Sequence, residues 1–444
     1  MTKANAIAID VGARFTRIAR VGADGTPALA GLPGTVPGEG LPTPGDAGLH
    51  RGAALRAAYA AYREHCGTPE HVVLVVPQRD RAEHARRAAD VLTALHGTDP
   101  MPRLRALSTP HAVLALLRHA GTATADRYAV CDLGGTAAEV SVCAVAAGSV
   151  AVTGSAGYAP ADGYGAGFDA ALLAGAGLPD DEAGLRALAG ARAQEGAGQR
   201  LDIALEGAER RPGRYEDTVV HQVAGRDVTV GVVRQALARL VAGIDHAVDE
   251  ARGDQPLPSV VLVGGLARLG PLLRHLTGRH GTPAVLPGGV DPALAAAFGA
   301  GLVAAGQVDP ADRYPYAVCV ATHRTVAGEP RAQELLISPA GTLEPGGATV
   351  FAETGGQRVR VRTGPAGATS ARPVRIQVRD TGGGAATPAG TPVLPPSAEG
   401  ARFHVGVRIA VDGTASLVLH PLGSGTPSEY PLGVLPTDIE GARS

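Results

Sequence analysis

Two segments of this chain share one layout, and that duplication constrains the fold more than any other feature. In each, an apolar run ends in a carboxylate, passes through a glycine and resumes as a second run. The first is Ile7-Ala8-Ile9-Asp10-Val11-Gly12, with Thr16 beyond it. The second is Val130-Cys131-Asp132-Leu133-Gly134-Gly135-Thr136, with Glu139-Val140-Ser141 beyond it. Residues 6–21 therefore read as a strand interrupted by a turn, and 127–154 repeat the unit, with strand, Gly-Gly turn and strand from Tyr128 to Val142.

The rest of the first 306 residues alternates between strand and helix signals. Asp24-Gly25 marks a hairpin turn. Residues 32–49 are Gly- and Pro-rich and read as a loop, Arg51 to His65 has helical spacing, and Val72 to Val76 is a continuous apolar strand. Asp80 is placed to cap the helix that runs to about Leu95. Helical stretches at 180–206 and 229–252 lead to the strand Ser259 to Val263, and Ala293 to Ala305 is a helix of small residues. This order predicts an α/β region. Beyond residue 312 the pattern becomes short alternating segments between Gly/Pro turns, with Asp412-Gly413 as a hairpin signal and 381–400 as a loop. An all-β domain over 313–444 is expected, with the boundary near 306–313. No tandem repeat of solenoid length is visible.

Composition narrows the function. Hydrophobic residues are 45% of the 444 and charged residues 18%, which supports real cores rather than a disordered chain. Aromatics are 3%, Trp is absent and the net charge is -2, so neither base stacking nor bulk charge favours nucleic acid or an anionic membrane. The longest apolar run, Pro292 to Gly306, is too short to span a bilayer, and Asp10 interrupts the first apolar strand, so a cytoplasmic protein is expected. Cys66, Cys131, Cys143 and Cys319 have no CxxC pairing and read as reduced thiols. Lys3 is the only lysine, so any mechanism needing a buried lysine ammonium must find another cation.

A carboxylate at the end of a buried strand, followed by glycine, suits Mg-nucleotide chemistry: glycine lets backbone N–H groups approach phosphate, and the carboxylate holds a hydrated Mg²⁺. A plain double hairpin gives the same pattern. The third element, Val260-Val261-Leu262-Val263-Gly264-Gly265-Leu266-Ala267-Arg268, is a buried strand running into a Gly-Gly turn and then a helix. Such a turn can pass beneath an adenine, with Arg268 on the base, or it can simply let strand and helix pack closely.

Together and in order, the three elements resemble the actin-like ATPase superfamily. Within it the chain is similar to the seventy-kilodalton heat-shock (DnaK-type) chaperones. Further matches are His71 to Pro77, Ser108-Thr109-Pro110-His111-Ala112, Gly163 to Asp169, and Asp291-Pro292 through Phe298-Gly299-Ala300. The resemblance covers residues 6–306 and extends more loosely to the tail. It implies a duplicated ribonuclease H-like nucleotide-binding domain over 1–306, reduced around 22–70, followed by a β-sandwich-like domain that binds a peptide or protein client. It further implies ATP/ADP and Mg²⁺ as ligands. Asp10 and Asp132 become the catalytic and Mg²⁺-side carboxylates, acting through water. Gly12, Gly134, Gly135 and Thr136 become the phosphate turns and Gly165 a third one. Gly264, Gly265 and Arg268 frame the adenine, and Glu195 the ribose.

The chain also departs from that family. Its phosphate-contacting lysine has no counterpart in 22–70, where Arg51 is the nearest cation, and a guanidinium fork is not a point-like ammonium. The family's acid before the third helix is replaced by Thr109. Ala13 and Arg14 stand where hydroxyl residues follow the first turn, and Ala137 stands where the second turn carries threonine. Gly198, Gln199 and Asp202 replace polar ribose contacts. The junction Gly306 to Asp312 lacks a leucine run, and no helical lid follows the tail, so weak coupling between nucleotide and client is expected. Losing one preorganised donor costs about 10²–10³ in rate, so hydrolysis should be slow while binding survives. The reading is therefore a DnaK-like ATP-binding chaperone with weak ATPase activity. The rivals are a pseudo-ATPase scaffold and a small-molecule kinase of the same superfamily. His111, His221, His246 and His323 share no metal spacing, Ser155 and Ser338 lack a base, and Asp169 and Glu139 are either Mg²⁺-water ligands or turn carboxylates.

Overall fold

The structure, a computed structural model, describes residues 5–43, 47–146, 148–192, 194, 196–211, 213–256, 258–327, 329–363, 370–380, 386–395, 401–423 and 425–436. Among them it is a mixed α/β protein. The first half runs β1 Ala6–Val11, β2 Phe15–Val21, β3 Pro27–Leu29, β4 Leu41–Pro42, α1 Ala47–Cys66, β5 His71–Val76, α2 Arg81–His96, β6 Arg103–Ser108 and α3 Thr109–His119. The second runs β7 Arg127–Leu133, β8 Ala138–Ala146, β9 Ser149–Tyr158, α4 Tyr164–Gly175, α5 Glu182–Arg192, α6 Ala197–Arg210, β10 Val219–Val223, β11 Arg226–Thr229, α7 Val230–Arg252, β12 Ser259–Val263, α8 Gly270–His280, β13 Thr282–Pro283 and α9 Ala295–Ala304.

The two main sheets are built alike. One has the order β3-β2-β1-β5-β6 and the other β9-β8-β7-β12-β13, with β4 attached to β2. From β1 and from β7, an antiparallel meander leaves on one side and two parallel strands on the other. Strand alternation then divides the side chains between layers. Ile7 and Ile9 pack with Tyr59, Tyr62 and Leu92 of α1 and α2. Ala8 faces the other way, into a core shared by α3, α9 and the second sheet's Tyr128, Val130, Val261 and Val263. Ala129, Cys131 and Leu133 point onward to α4, α6 and α7. Two sheets thus enclose α3 and α9, with further helices outside each.

After α9, every described element is a strand. β14 Ala317–Val326, β15 Glu329–Ser338, Ile376–Arg379 and Thr387–Gly390 form one sheet. Val350–Phe351, Phe403–Ile409, Thr414–Pro421 and Ser428–Val434 form another. Val318, Val320, Ile376 and Val378 from the first share a core with Val405, Val407, Ile409 and Leu417 from the second. No helix among the described residues is long and apolar enough to cross a membrane.

Several local expectations change. Helix α1 begins at Ala47, inside the segment read as a loop. Asp80 stands at the start of α2 with φ 54°, and its side chain makes no capping bond. The helical stretch 180–206 is two helices, with Gly196 in the left-handed region before the second. Of the segment 381–400, residues 381–385 and 396–400 lie outside the described residues; within the rest, Thr387–Gly390 pairs with Ile376–Arg379 and Val393–Leu394 with Arg372–Pro373. Cys131, Cys143 and Cys319 are buried free thiols, and Cys66 is half-buried.

Candidate functional site

The hairpin turns after β1 and β7 are the same turn. Gly12 N–H donates to the Phe15 carbonyl at 3.0 Å, and Gly134 N–H to that of Ala137 at 3.0 Å. The residues between project into the space where the two halves meet. Among the described residues, the N–H groups of Ala13, Arg14, Gly135 and Thr136 have no backbone partner. Such consecutive free amides favour an anion. The turns also touch: a Cβ added at Gly135 would lie 2.8 Å from that of Ala13.

Hairpin register places different partners beside the two carboxylates. Asp10 lies opposite Arg17, whose Nη1 is 3.5 Å from the Asp10 carboxylate. Asp132 lies opposite Glu139. Burial raises the Asp10 carboxyl above its ordinary range, with Arg17 and Arg51 opposing. Burial, then the charge of Asp10, push Asp132 up to about 6, against Arg17, a hydrogen bond from Thr109 and Arg51. Thr109, at the start of α3, thus ties that helix to Asp132. Burial also carries Glu139 up to about 7, although it accepts the Arg79 backbone N–H at 2.7 Å.

Gly264 has φ +90°, and a Cβ there would strike the Leu133 carbonyl at 2.6 Å and Asp132 Oδ1 at 2.8 Å, so only glycine fits. Gly265 is exposed, and a Cβ on it would meet nothing within 4 Å. The Arg268 guanidinium grips Asp291 with bonds of 3.0 and 2.7 Å and reaches across to Glu39 at 2.5 Å. Its N–H edge is therefore engaged in an ion pair between the two halves. The segment read as a third phosphate turn forms the start of α4. Gly165 is buried and spends its N–H on the Gly135 carbonyl at 2.9 Å, while Tyr164 N–H donates to that of Thr136 at 3.1 Å. Asp169 pairs with Arg14 and, at 2.6 Å, with Arg192, as a caged carboxylate. Glu195 lies outside the described residues.

Sequence reasoning missed Arg17 and Glu39. Arg17 was recoverable, because a turn closing at Gly12 and Phe15 pairs Val11 with Thr16 and Asp10 with Arg17. Glu39 comes from an irregular segment whose placement no local pattern fixes. His111 is a buried histidine of α3 with both ring nitrogens engaged, bonded to Ser108 at 2.7 Å and to the Val150 carbonyl at 3.2 Å. His221 is buried on β10.

The free amides fit phosphate oxygens. The carboxylates do not fit a hydrated Mg²⁺, because Asp10 already faces a guanidinium. At about 5 Å and an effective dielectric near 20, the guanidinium repels a dication by roughly 7 kcal/mol, which cancels the attraction of one of the two carboxylates. Among the described residues, no group of three or more His, Cys, Asp or Glu is arranged to hold a metal. A cavity of about 380 Å³ lies away from this site, lined by Tyr59, Arg63, Glu64, Thr68 and Leu95. No protein-family model matches the chain, and no curated protein matches it.

Glu139 gives the site a measurable pH signature. Its carboxyl titrates higher folded, at about 7, than its ordinary 4.5, so the folded protein holds a proton that the unfolded chain has released between those values. Stability therefore falls as pH rises through that window. Glu139→Gln keeps an acceptor for the Arg79 N–H and removes the charge. The variant should be about 1–3 kcal/mol more stable than its parent near pH 8 and equal to it below pH 4.5. Urea unfolding at both pH values measures this, and an equal gain at both would refute the buried-charge account.

Proposed function

We propose that the chain is a divergent DnaK-type protein of the actin-like ATPase superfamily. It binds ATP or ADP between its two α/β halves, hydrolyses ATP slowly or not at all, and engages a peptide or protein client through its strand-only region. The observation that carries this reading is the pair of sheets with one strand order, which sets Asp10 and Asp132 at equivalent strand ends and supports a duplicated ribonuclease H-like arrangement. The free amides of the two turns would hold phosphate oxygens, and the open space over Gly265 would seat the base. Asp132, held by Thr109, is the carboxylate available to accept a hydrogen bond from water. No acid stands at Thr109 to help it, which accounts for slow turnover. Exposed Leu336, Val393 and Val434 supply apolar surface for a client. A cytoplasmic location belongs to the same proposal.

Gly265→Trp tests the reading, because a Cβ there meets nothing within 4 Å and the indole would take the space assigned to the base. Calorimetric titration should show ATP and ADP binding to the parent, weakened at least tenfold in the variant, with an unchanged melting temperature. One observation favours a second reading, a scaffold that binds no nucleotide: the contact of Ala13 with Gly135 and the Arg268–Glu39 ion pair close the space between the halves. No heat from either nucleotide with the parent would establish the scaffold and end the first reading.

A further inference from the structure

We infer that Arg17 supplies the positive charge of this site, so that nucleotide binds without a divalent cation. The inference rests on the nucleotide reading and deepens it. Arg17 is 9% exposed, and its guanidinium lies 3.5 Å from Asp10 and 4.0 Å from Glu39. Its stem is covered by Gly40, where a Cβ would come within 3.2 Å of Cγ. Its head packs against the first turn, where a Cβ at Gly12 would come within 3.2 Å of Nη1. A buried cation is therefore fixed beside the free amides of Ala13 and Arg14. Its Nε is buried and has no hydrogen-bond partner among the described residues. A buried donor left unpaired is costly, and it favours a ligand that brings an acceptor.

Charge accounting points the same way. Asp10 and Asp132, with Glu39 beside Arg17, would repel a polyphosphate and need a countercharge. Arg17 stands within the site, and Arg51 acts on both carboxylates from α1. With those charges built into the fold, a dication is not needed to bring phosphate to the turns, and Arg17 disfavours one at Asp10.

The test is calorimetric titration of ADP and ATP into the full chain, in excess Mg²⁺ and again in EDTA. The expected result is a dissociation constant that changes by less than threefold between the two buffers. Arg17→Met should weaken binding at least tenfold in EDTA, with part of the loss recovered by Mg²⁺, and Arg17→Lys should remain independent of the metal. Melting curves check that each variant is folded, and the parent comparison stands if Arg17→Met is not. A parent that loses tenfold or more of its affinity in EDTA overturns the inference and leaves nucleotide binding intact. A parent that binds in neither buffer overturns the nucleotide reading and the inference with it.

Discussion

Replacing Arg81 with Met should cost about 3 kcal/mol of folding stability at neutral pH, because it strands a buried charge. Asp312 lies in the segment joining α9 to the strand-only region, and its side chain is 8% exposed. Arg81, the first residue of α2, holds both carboxylate oxygens, at 3.0 and 2.5 Å, and also donates to the Ala106 carbonyl at 3.0 Å. His111 Nε2 stands 3.5 Å away. Burial alone would raise the Asp312 carboxyl; the Arg81 charge, helped by His111, more than reverses that and holds it below the usual range. A depressed carboxylate contributes stability above its unfolded pKa and loses it as pH falls through the folded one. Without Arg81 the burial effect prevails, so the variant's deficit should be largest near pH 7 and shrink toward pH 4 as Asp312 takes up a proton. Adding Asp312→Asn removes the stranded charge and should recover more than half the loss in urea unfolding. A deficit independent of pH and unrelieved by Asp312→Asn would mean that lost packing, not charge, sets the cost.

This junction also bears on coupling between the two regions. The linker lacks a leucine run, and weak coupling was the expectation from sequence. Yet Arg313 bonds Asp309 and Glu344, Arg105 reaches Glu344, and Val411 packs against Val76, Ala85 and Ala106. Ion pairs and the Val411 contact, rather than a run of leucines, hold this junction. His111 lies two positions after Thr109, on the same α3 turn that touches Asp132. The linker and the carboxylate pair are therefore bound to one helix start.

What was legible in the sequence was whatever local pattern alone decides. Both Asp-x-Gly hairpins, the apolar strands β5 and β12 and the small-residue helix α9 follow from periodicity and turn chemistry. Helix α4 did not, because Tyr164–Gly175 carries three glycines and low helix propensity; it is held by Tyr164, Gly165 and Ala166 docking under the second turn. Thr387–Gly390 and Val393–Leu394 were hidden by Pro388 and Pro392, and their pairing partners lie elsewhere in the chain. At the site, residue identity marked Asp10, Asp132 and Gly264. It did not disclose that Arg268 would be spent on Asp291 and Glu39, or that Gly165 would spend its amide on Gly135. Those outcomes depend on how the two halves meet, which no local window contains.

The meeting of the units makes Gly299→Ala the second large effect, and one whose sign contradicts helix propensity. Glycine inside a helix is about 1 kcal/mol worse than alanine, so propensity alone predicts stabilisation. Gly299 is buried in α9, where that helix crosses α3. A Cβ there would overlap the Ala112 carbonyl oxygen, which is backbone and cannot swing aside, and would lie 3.2 Å from Leu116 Cβ. The helices must separate, and overpacking of this kind should leave a net loss of about 2–3 kcal/mol. Gly301 on the same helix provides the contrast. Its added Cβ would meet Ala19 at ordinary distances, its Cβ at 3.4 Å being the nearest atom, so Gly301→Ala should be neutral or stabilising by up to about 1 kcal/mol. Denaturant unfolding of the two variants side by side separates the causes. Equal and favourable effects would mean that the α3–α9 crossing is looser than described. Opposite signs would locate the constraint at the backbone contact between these helices, which also sets where Thr109 stands against Asp132.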